Sequence, residues 1–143
     1  MAIGQANAEP VAARGGMVAL IYRWMAAVFV VLVLIQAFLG GWGFFIDPDT
    51  LNVHGRVGDA SFLYALIHLI LAGVGAVRGG IGRTSVILSA ILLVLVFVQL
   101  NLGYSSEDSN TAAAWHLPNG VLIFGLTVAN AMRLWVREER GVR

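Results

Sequence analysis

Four long apolar stretches, separated by short polar connections, limit the folds open to this chain more than any other feature. They run at about Met17–Phe45, Phe62–Val77, Val86–Tyr104 and Gly120–Val136. A helix needs about 20 apolar residues to cross a bilayer. The second and fourth stretches fall short of that, so their helices are expected to begin earlier, in amphipathic segments. Pro48, Asp49 and Thr50 suit a helix start near residue 50. Ser109, Asn110 and Thr111 suit a cap for the fourth helix, which Ala112–Ala114 would continue. Gly79, Gly80 and Gly82 predict a tight turn, with Thr84 or Ser85 capping the third helix.

Composition agrees with this reading. Hydrophobic residues make up 59% of the chain and charged residues 12%, against about 25% charged in a typical soluble domain. A net charge of +1 gives no field that would attract nucleic acid. No cysteine is present, which excludes disulfides, iron–sulfur clusters, thiolate zinc and covalently attached haem. A metal or haem would be held non-covalently, by His, Met or oxygen ligands. Residues 1–16 are small and polar and are expected to form a disordered cytoplasmic N-terminus. Residues 17–137 are expected to form the bundle, and 138–143 a cytoplasmic tail. Val18–Phe45 exceeds the apolar core of a secretory signal, about 7–15 residues, and reads as a retained span.

The fold class expected is all-α: an integral membrane antiparallel four-helix bundle built from two repeated helix hairpins. Eight of the nine arginines, Arg14, Arg23, Arg78, Arg83, Arg133, Arg137, Arg140 and Arg143, fall on one side of it. Asp47, Asp49, Asp59, Glu107 and Asp108 fall mostly on the other. The positive-inside rule then predicts a cytoplasmic (inner) membrane protein with both termini cytoplasmic. Trp24, Trp42, Trp115 and Trp135 fall near the expected interfaces, as belt residues do.

Within this frame the chain repeats itself. "IQAFLGG…NVHGRVG" (35–58) is echoed by "VQLNLGY…AWHLPNG" (98–120). Gln36 and Gln99 each have a Gly four residues on, at Gly40 and Gly103. His54 and His116 each have one four residues on, at Gly58 and Gly120. In an up-down-up-down bundle the second and fourth helices are diagonal and run the same way, so His54 and His116 face each other across the core. Two opposed imidazoles suit the iron of one b-type haem. Gly40, Gly41 and Gly103 are expected to make room at the haem edges, and Gly58 and Gly120 to relieve crowding beneath the ligands. Gln36 and Gln99 are expected to face inward and orient the site. Arg56 is the candidate partner for a propionate. Each feature also has a plain packing explanation, an old hairpin duplication with interhelical hydrogen bonds.

His68 lies fourteen residues after His54, about 21 Å along a helix and on nearly the same face. Its counterpart on the fourth helix is Asn130, a poor iron ligand, so a second haem would need Met25 or Met132. A chlorin, or a hydrogen-bonded imidazole relaying protons, is the other reading. Pro118 lies inside the fourth helix and is expected to kink it.

These residues resemble one four-helix half of haem A synthase: "QAFLGG", an acidic loop and "VHGRVG", repeated as "QLNLGY" and "WHLPNG". The pattern is also similar to small uncharacterised four-span membrane proteins. The resemblance spans nearly the whole bundle and implies that His54 and His116 are paired haem ligands. One half is present rather than two. Leu51 stands where the catalytic half carries an acid three residues before its His, and Gly55 separates His54 from Arg56. The function expected is therefore electron transfer through a bis-His haem b near the outer face, with a quinol or a larger membrane redox complex as partner. The alternative is an accessory subunit of a respiratory or photosynthetic complex, packing or pigment-binding, within a hetero-oligomer. Haem-modifying or quinone enzymology would need an acid or base near the ring, and Asp59 is the candidate.

Overall fold

The computed structural model describes residues 11–141. Four helices occur in it: α1 (Val11–Phe45), α2 (Thr50–Val77), α3 (Arg83–Ser105) and α4 (Asn110–Gly141). All four are long and apolar enough to cross a membrane. α2 and α4 begin well before their apolar stretches, as the length argument requires. α1 begins before the expected boundary at Met17, and the expected disorder of residues 1–10 lies outside the described residues. Each helix packs against two neighbours, in the order α1, α2, α3, α4 and back to α1, and the diagonal pairs meet only through side chains, with no Cα atoms within 8 Å of each other. The result is an antiparallel bundle with both termini at one end, hereafter the terminal end. His54 and His116 are at the far end.

The bundle is inside-out relative to a soluble one. Leu34, Phe38, Leu63, Ile70, Val94, Phe97 and Val121 are exposed, while Ser61, His68, Ser85, Ser89, Thr127 and Asn130 are buried. With hydrocarbon as the outer solvent, burying leucine gains little. Close backbone approach and interhelical hydrogen bonds then decide which face turns inward. α2 shows the rule most clearly: its buried residues are Gly58, Ser61, Ala65, His68, Ala72 and Gly75. They alternate by three and four, the spacing of a coiled-coil seam. His54 lies one turn before Gly58 on the same seam.

Two apolar layers fill the interior. Phe29, Ala65, Leu92, Val96 and Ile123 form the central one. Val18, Tyr22, Ala72 and Ile81 form one near the terminal end.

The connections explain the helix ends. Before α2, Asp47 accepts hydrogen bonds from the Asp49 amide (3.2 Å) and the Thr50 hydroxyl (3.0 Å), so Asp47 organises the start while Asp49 makes no side-chain cap bond. α2 ends in a Schellman motif. Gly79 takes φ +81°, and the Gly79 and Gly80 amides return to the Ala76 and Gly75 carbonyls at 3.2 and 2.9 Å. Ile81 then folds onto Gly75, where a Cβ would collide with its side chain. α3 starts at Arg83 behind Gly82 without a side-chain cap. Neither Thr84 nor Ser85 performs the capping expected of it; Ser85 is buried and engaged elsewhere. At α4 the expectation holds, since the Ser109 hydroxyl accepts the Ala112 amide at 3.2 Å. α4 continues through Pro118, which is exposed.

Candidate functional site

α2 and α4 each bring one imidazole to the far end of the bundle. The ring centroids of His54 and His116 are 6.0 Å apart, their planes at 66°. Both residues are half-buried. The backbones of their helices do not touch, so the two rings meet across the middle of the bundle.

The glycines of the echo lie against the large polar side chains of the neighbouring helix. A Cβ on Gly40 would lie 3.1 Å from Cε1 and 3.3 Å from Nδ1 of His54. A Cβ on Gly103 would lie 3.1 Å from Cε1 of His116. These glycines cradle the imidazoles themselves, and nothing lies within 4 Å of a Cβ built on Gly41. Gly58 and Gly120 likewise receive the glutamines: Cβ positions there fall 3.1 Å from Gln36 Nε2 and 3.2 Å from Gln99 Nε2. Each hairpin is therefore a crossed lock. One helix offers Gln and then Gly, and its partner offers His and then Gly. Each large polar side chain sits on the other helix's glycine.

This lock makes a matched pair of predictions. Gly41→Ala is expected to be neutral or stabilising by up to about 1 kcal/mol, because it removes the helix penalty of glycine. Gly40→Val is expected to cost about 1–3 kcal/mol through overpacking against the His54 ring. Unfolding titrations in detergent measure both.

The hydrogen bonds orient one ring fully. His54 Nδ1 lies 3.0 Å from the Gln36 carbonyl. A carbonyl only accepts, so Nδ1 carries the proton and Nε2 keeps its lone pair. His116 Nδ1 approaches the Gln99 backbone more loosely and completes no hydrogen bond. The glutamines differ in the opposite sense. Gln99 Oε1 accepts from Asn119 Nδ2 at 2.7 Å, and Asn119 also reaches the Leu95 carbonyl at 3.0 Å. Gln36 Oε1 is buried without a hydrogen-bond partner, because the position equivalent to Asn119 is Val57. The two copies share their geometry and have diverged in their polar partners.

Arg56 is exposed at this end. Asp59, the candidate acid or base, is also exposed, and it accepts the Tyr104 hydroxyl at 2.6 Å. It ties α2 to α3, and Tyr104 is a contact that sequence spacing gave no means of finding.

His68 is a second polar centre, separated from the first by the Phe29–Leu92 layer. It is 1% exposed. Tyr22 stacks on its ring at 4.4 Å, and Phe29 meets it edge-on at 5.8 Å. His68 Nδ1 lies 3.2 Å from the Ser89 hydroxyl, which lies 2.9 Å from the Tyr22 hydroxyl. Asn130 Nδ2 donates to Tyr22 at 3.3 Å, and Arg133 donates to Ser85 Oγ at 2.7 Å and to Asn130 Oδ1 at 3.3 Å. Asn130 thus faces the same interior as His68, as the repeat implies, but reaches it through Tyr22. Met132 is 62% exposed and turned away, and Met25 enters only through its carbonyl, which accepts the Tyr64 hydroxyl at 2.9 Å. Arg133, read from sequence as an interfacial charge, turns inward to this network. Arg23 instead covers the Trp135 ring at 4.3 Å.

Among the described residues no group of three or more His, Cys, Asp or Glu is placed to hold a bare metal ion. Comparison with known proteins found no match to this chain among family models, curated proteins or solved structures.

Proposed function

We propose that this chain is an integral-membrane b-type cytochrome. His54 and His116 would hold one haem near the outer face, with both termini cytoplasmic. The observation that carries the proposal is the diagonal imidazole pair at 6.0 Å. Two opposed imidazoles on diagonal helices are a donor set that suits the iron of a b-type haem. Three further features suit the donor set. The Gln36 carbonyl fixes His54 with Nε2 as the free donor, the usual support for a metal-bound imidazole. Gly40 and Gly103 hold the rings edge-on. Arg56 supplies a cation at the same end for a propionate.

When bound, the haem would supply one-electron redox chemistry. The chain's residues His54 and His116 would hold it. The proposed partner is a quinol or a larger membrane redox complex, and the proposed location is the cytoplasmic (inner) membrane, where the arginine-rich terminal end meets the positive-inside rule. Asp59 has no catalytic role in this reading, and Asp59→Asn should leave haem content unchanged.

The test is a dithionite-reduced minus oxidised spectrum and a haem extraction on full-length protein purified from haem-supplied cells in mild detergent. A six-coordinate b-type spectrum at one haem per chain is the expected result. Absence of haem would sink the proposal and leave the crossed lock as a packing device of a structural subunit.

A further inference from the structure

His68 has no role in the proposed electron transfer, yet burying an imidazole with one nitrogen unpartnered is costly. Its Nε2 is such an atom. Its Nδ1 heads a row of hydroxyls, Ser89 and then Tyr22. Tyr22 and Ser85 in turn line a cavity of about 240 Å³ at the terminal end, together with Ala19, Leu20, Gly80 and Gly82. Leu20, Gly80 and Gly82 are exposed, whereas Tyr22 and Ser85 are buried. The cavity therefore leads from the surface to the buried residues Tyr22 and Ser85. On the opposite side of His68 lies the apolar layer of Phe29, Ala65, Leu92, Val96 and Ile123, and the hydroxyl of Tyr64, which packs against it, is engaged by the Met25 carbonyl.

We infer that Tyr22 and Ser89 form a proton wire between this cavity and His68, making His68 a proton-exchange site reached from the terminal end alone. The row has two complete orientations. In one, Asn130 Nδ2 donates to Tyr22, Tyr22 to Ser89, and Ser89 to His68 Nδ1. In the other, His68 Nδ1–H donates to Ser89, Ser89 to Tyr22, and Tyr22 to the Ser85 carbonyl, which lies 3.2 Å away. Both use only contacts already made.

Passing from the first orientation to the second carries one proton. A hydronium ion in the cavity gives its proton to the Tyr22 oxygen. The Tyr22 proton moves to Ser89, and the Ser89 proton to His68 Nδ1. Water remains in the cavity, His68 becomes an imidazolium with protons on both nitrogens, and no electron moves.

The groups facing His68 from its neighbours are Tyr22 of α1, Ser89 of α3 and, through Tyr22, Asn130 and Arg133 of α4. Arg23 lines the cavity, and Tyr64 lies on α2 itself. The carboxylates with described side chains, Asp47, Asp49, Asp59, Glu107 and Asp108, all belong to the far end. Among the described side chains a protonated His68 thus has no carboxylate counter-ion, and the site exchanges a proton rather than storing one. The inference stands whether or not a haem occupies the far end.

Deuterium exchange at His68 Nδ1 tests it, followed by NMR of full-length 15N-histidine protein in bilayers, with the signal assigned by its loss in His68→Gln. Tyr22→Phe and Ser89→Val are each expected to slow exchange about tenfold or more, because a buried ring otherwise waits for local opening. Ala19→Trp, which fills the cavity and alters none of the bonded groups, should slow it as well and reads the same path if either hydroxyl variant fails to fold. Ser61→Ala, beyond the apolar layer, should leave the rate unchanged. Unaltered exchange in folded Tyr22→Phe, Ser89→Val and Ala19→Trp would overturn the wire. Slowing by Ser61→Ala alone would place the access at the far end instead.

Discussion

His54→Ala and His116→Ala are each expected to abolish the six-coordinate haem spectrum, lowering haem affinity by about a hundredfold or more, while His68→Ala retains it. Loss of a partner that merely supports a ligand already costs about 10–100-fold in metal affinity, so loss of the ligand should exceed that. The two sites differ in what remains. In His54→Ala a ring-sized gap opens against Gly40 and beside the Gln36 carbonyl. In His116→Ala it opens against Gly103, without that hydrogen bond. Free imidazole should therefore restore the spectrum at lower concentration in His54→Ala than in His116→Ala. Rescue separates ligation from folding: a misfolded bundle is not repaired by imidazole, and a spectrum surviving in both alanine variants would remove these residues as ligands.

Tyr22→Ala should be the most destabilising single truncation in the terminal half, by about 3–5 kcal/mol, the range for emptying a large aromatic site. Tyr22 is 0% exposed. It stacks on His68 and bonds to Ser89, to the Ser85 carbonyl and to Asn130. Deleting it leaves a cavity and strands those polar groups together. Tyr22→Phe keeps the ring and the stacking and removes only the hydroxyl, so a loss of about 1 kcal/mol is expected. Polar contacts inside membranes average about 0.6 kcal/mol, which makes the contrast between the two variants sharper. Denaturant unfolding in mixed micelles measures both, and equal losses would show that the hydroxyl network, not the ring, holds this half together.

Much of this was legible before any coordinates. Length and hydropathy are local properties, so the number of helices, their order and the early starts of α2 and α4 followed from counting residues. The opposition of His54 and His116 followed too, because an up-down-up-down bundle puts its second and fourth helices on a diagonal. The echo located the glycines of the site correctly, but not what they face. Spacing shows which residues share one side of a helix. It does not show which residue of the neighbour arrives there. Hence the contact of Gly40 and Gly103 with the imidazoles was not legible in the chain, and Ser85 read as a cap and turned out to bind Arg133.

The sequence alone determined that this protein is a bundle of four helices in two like hairpins, with polar residues on an inward seam and apolar residues turned out. A chain whose solvent is hydrocarbon has few other ways to satisfy its backbone. Only the tertiary structure decided how the seams interlock. The network of Tyr22, His68, Ser85, Ser89, Asn130 and Arg133 draws on all four helices. Two pairs of its members stand at the spacing of the repeat, His68 with Asn130 and Tyr22 with Ser85, but that spacing does not show which side chains meet. They meet because each helix settles at the rotation that lets glycine and serine admit a neighbour's larger side chain, and that rotation is fixed by packing between helices, not by the pattern within any one of them.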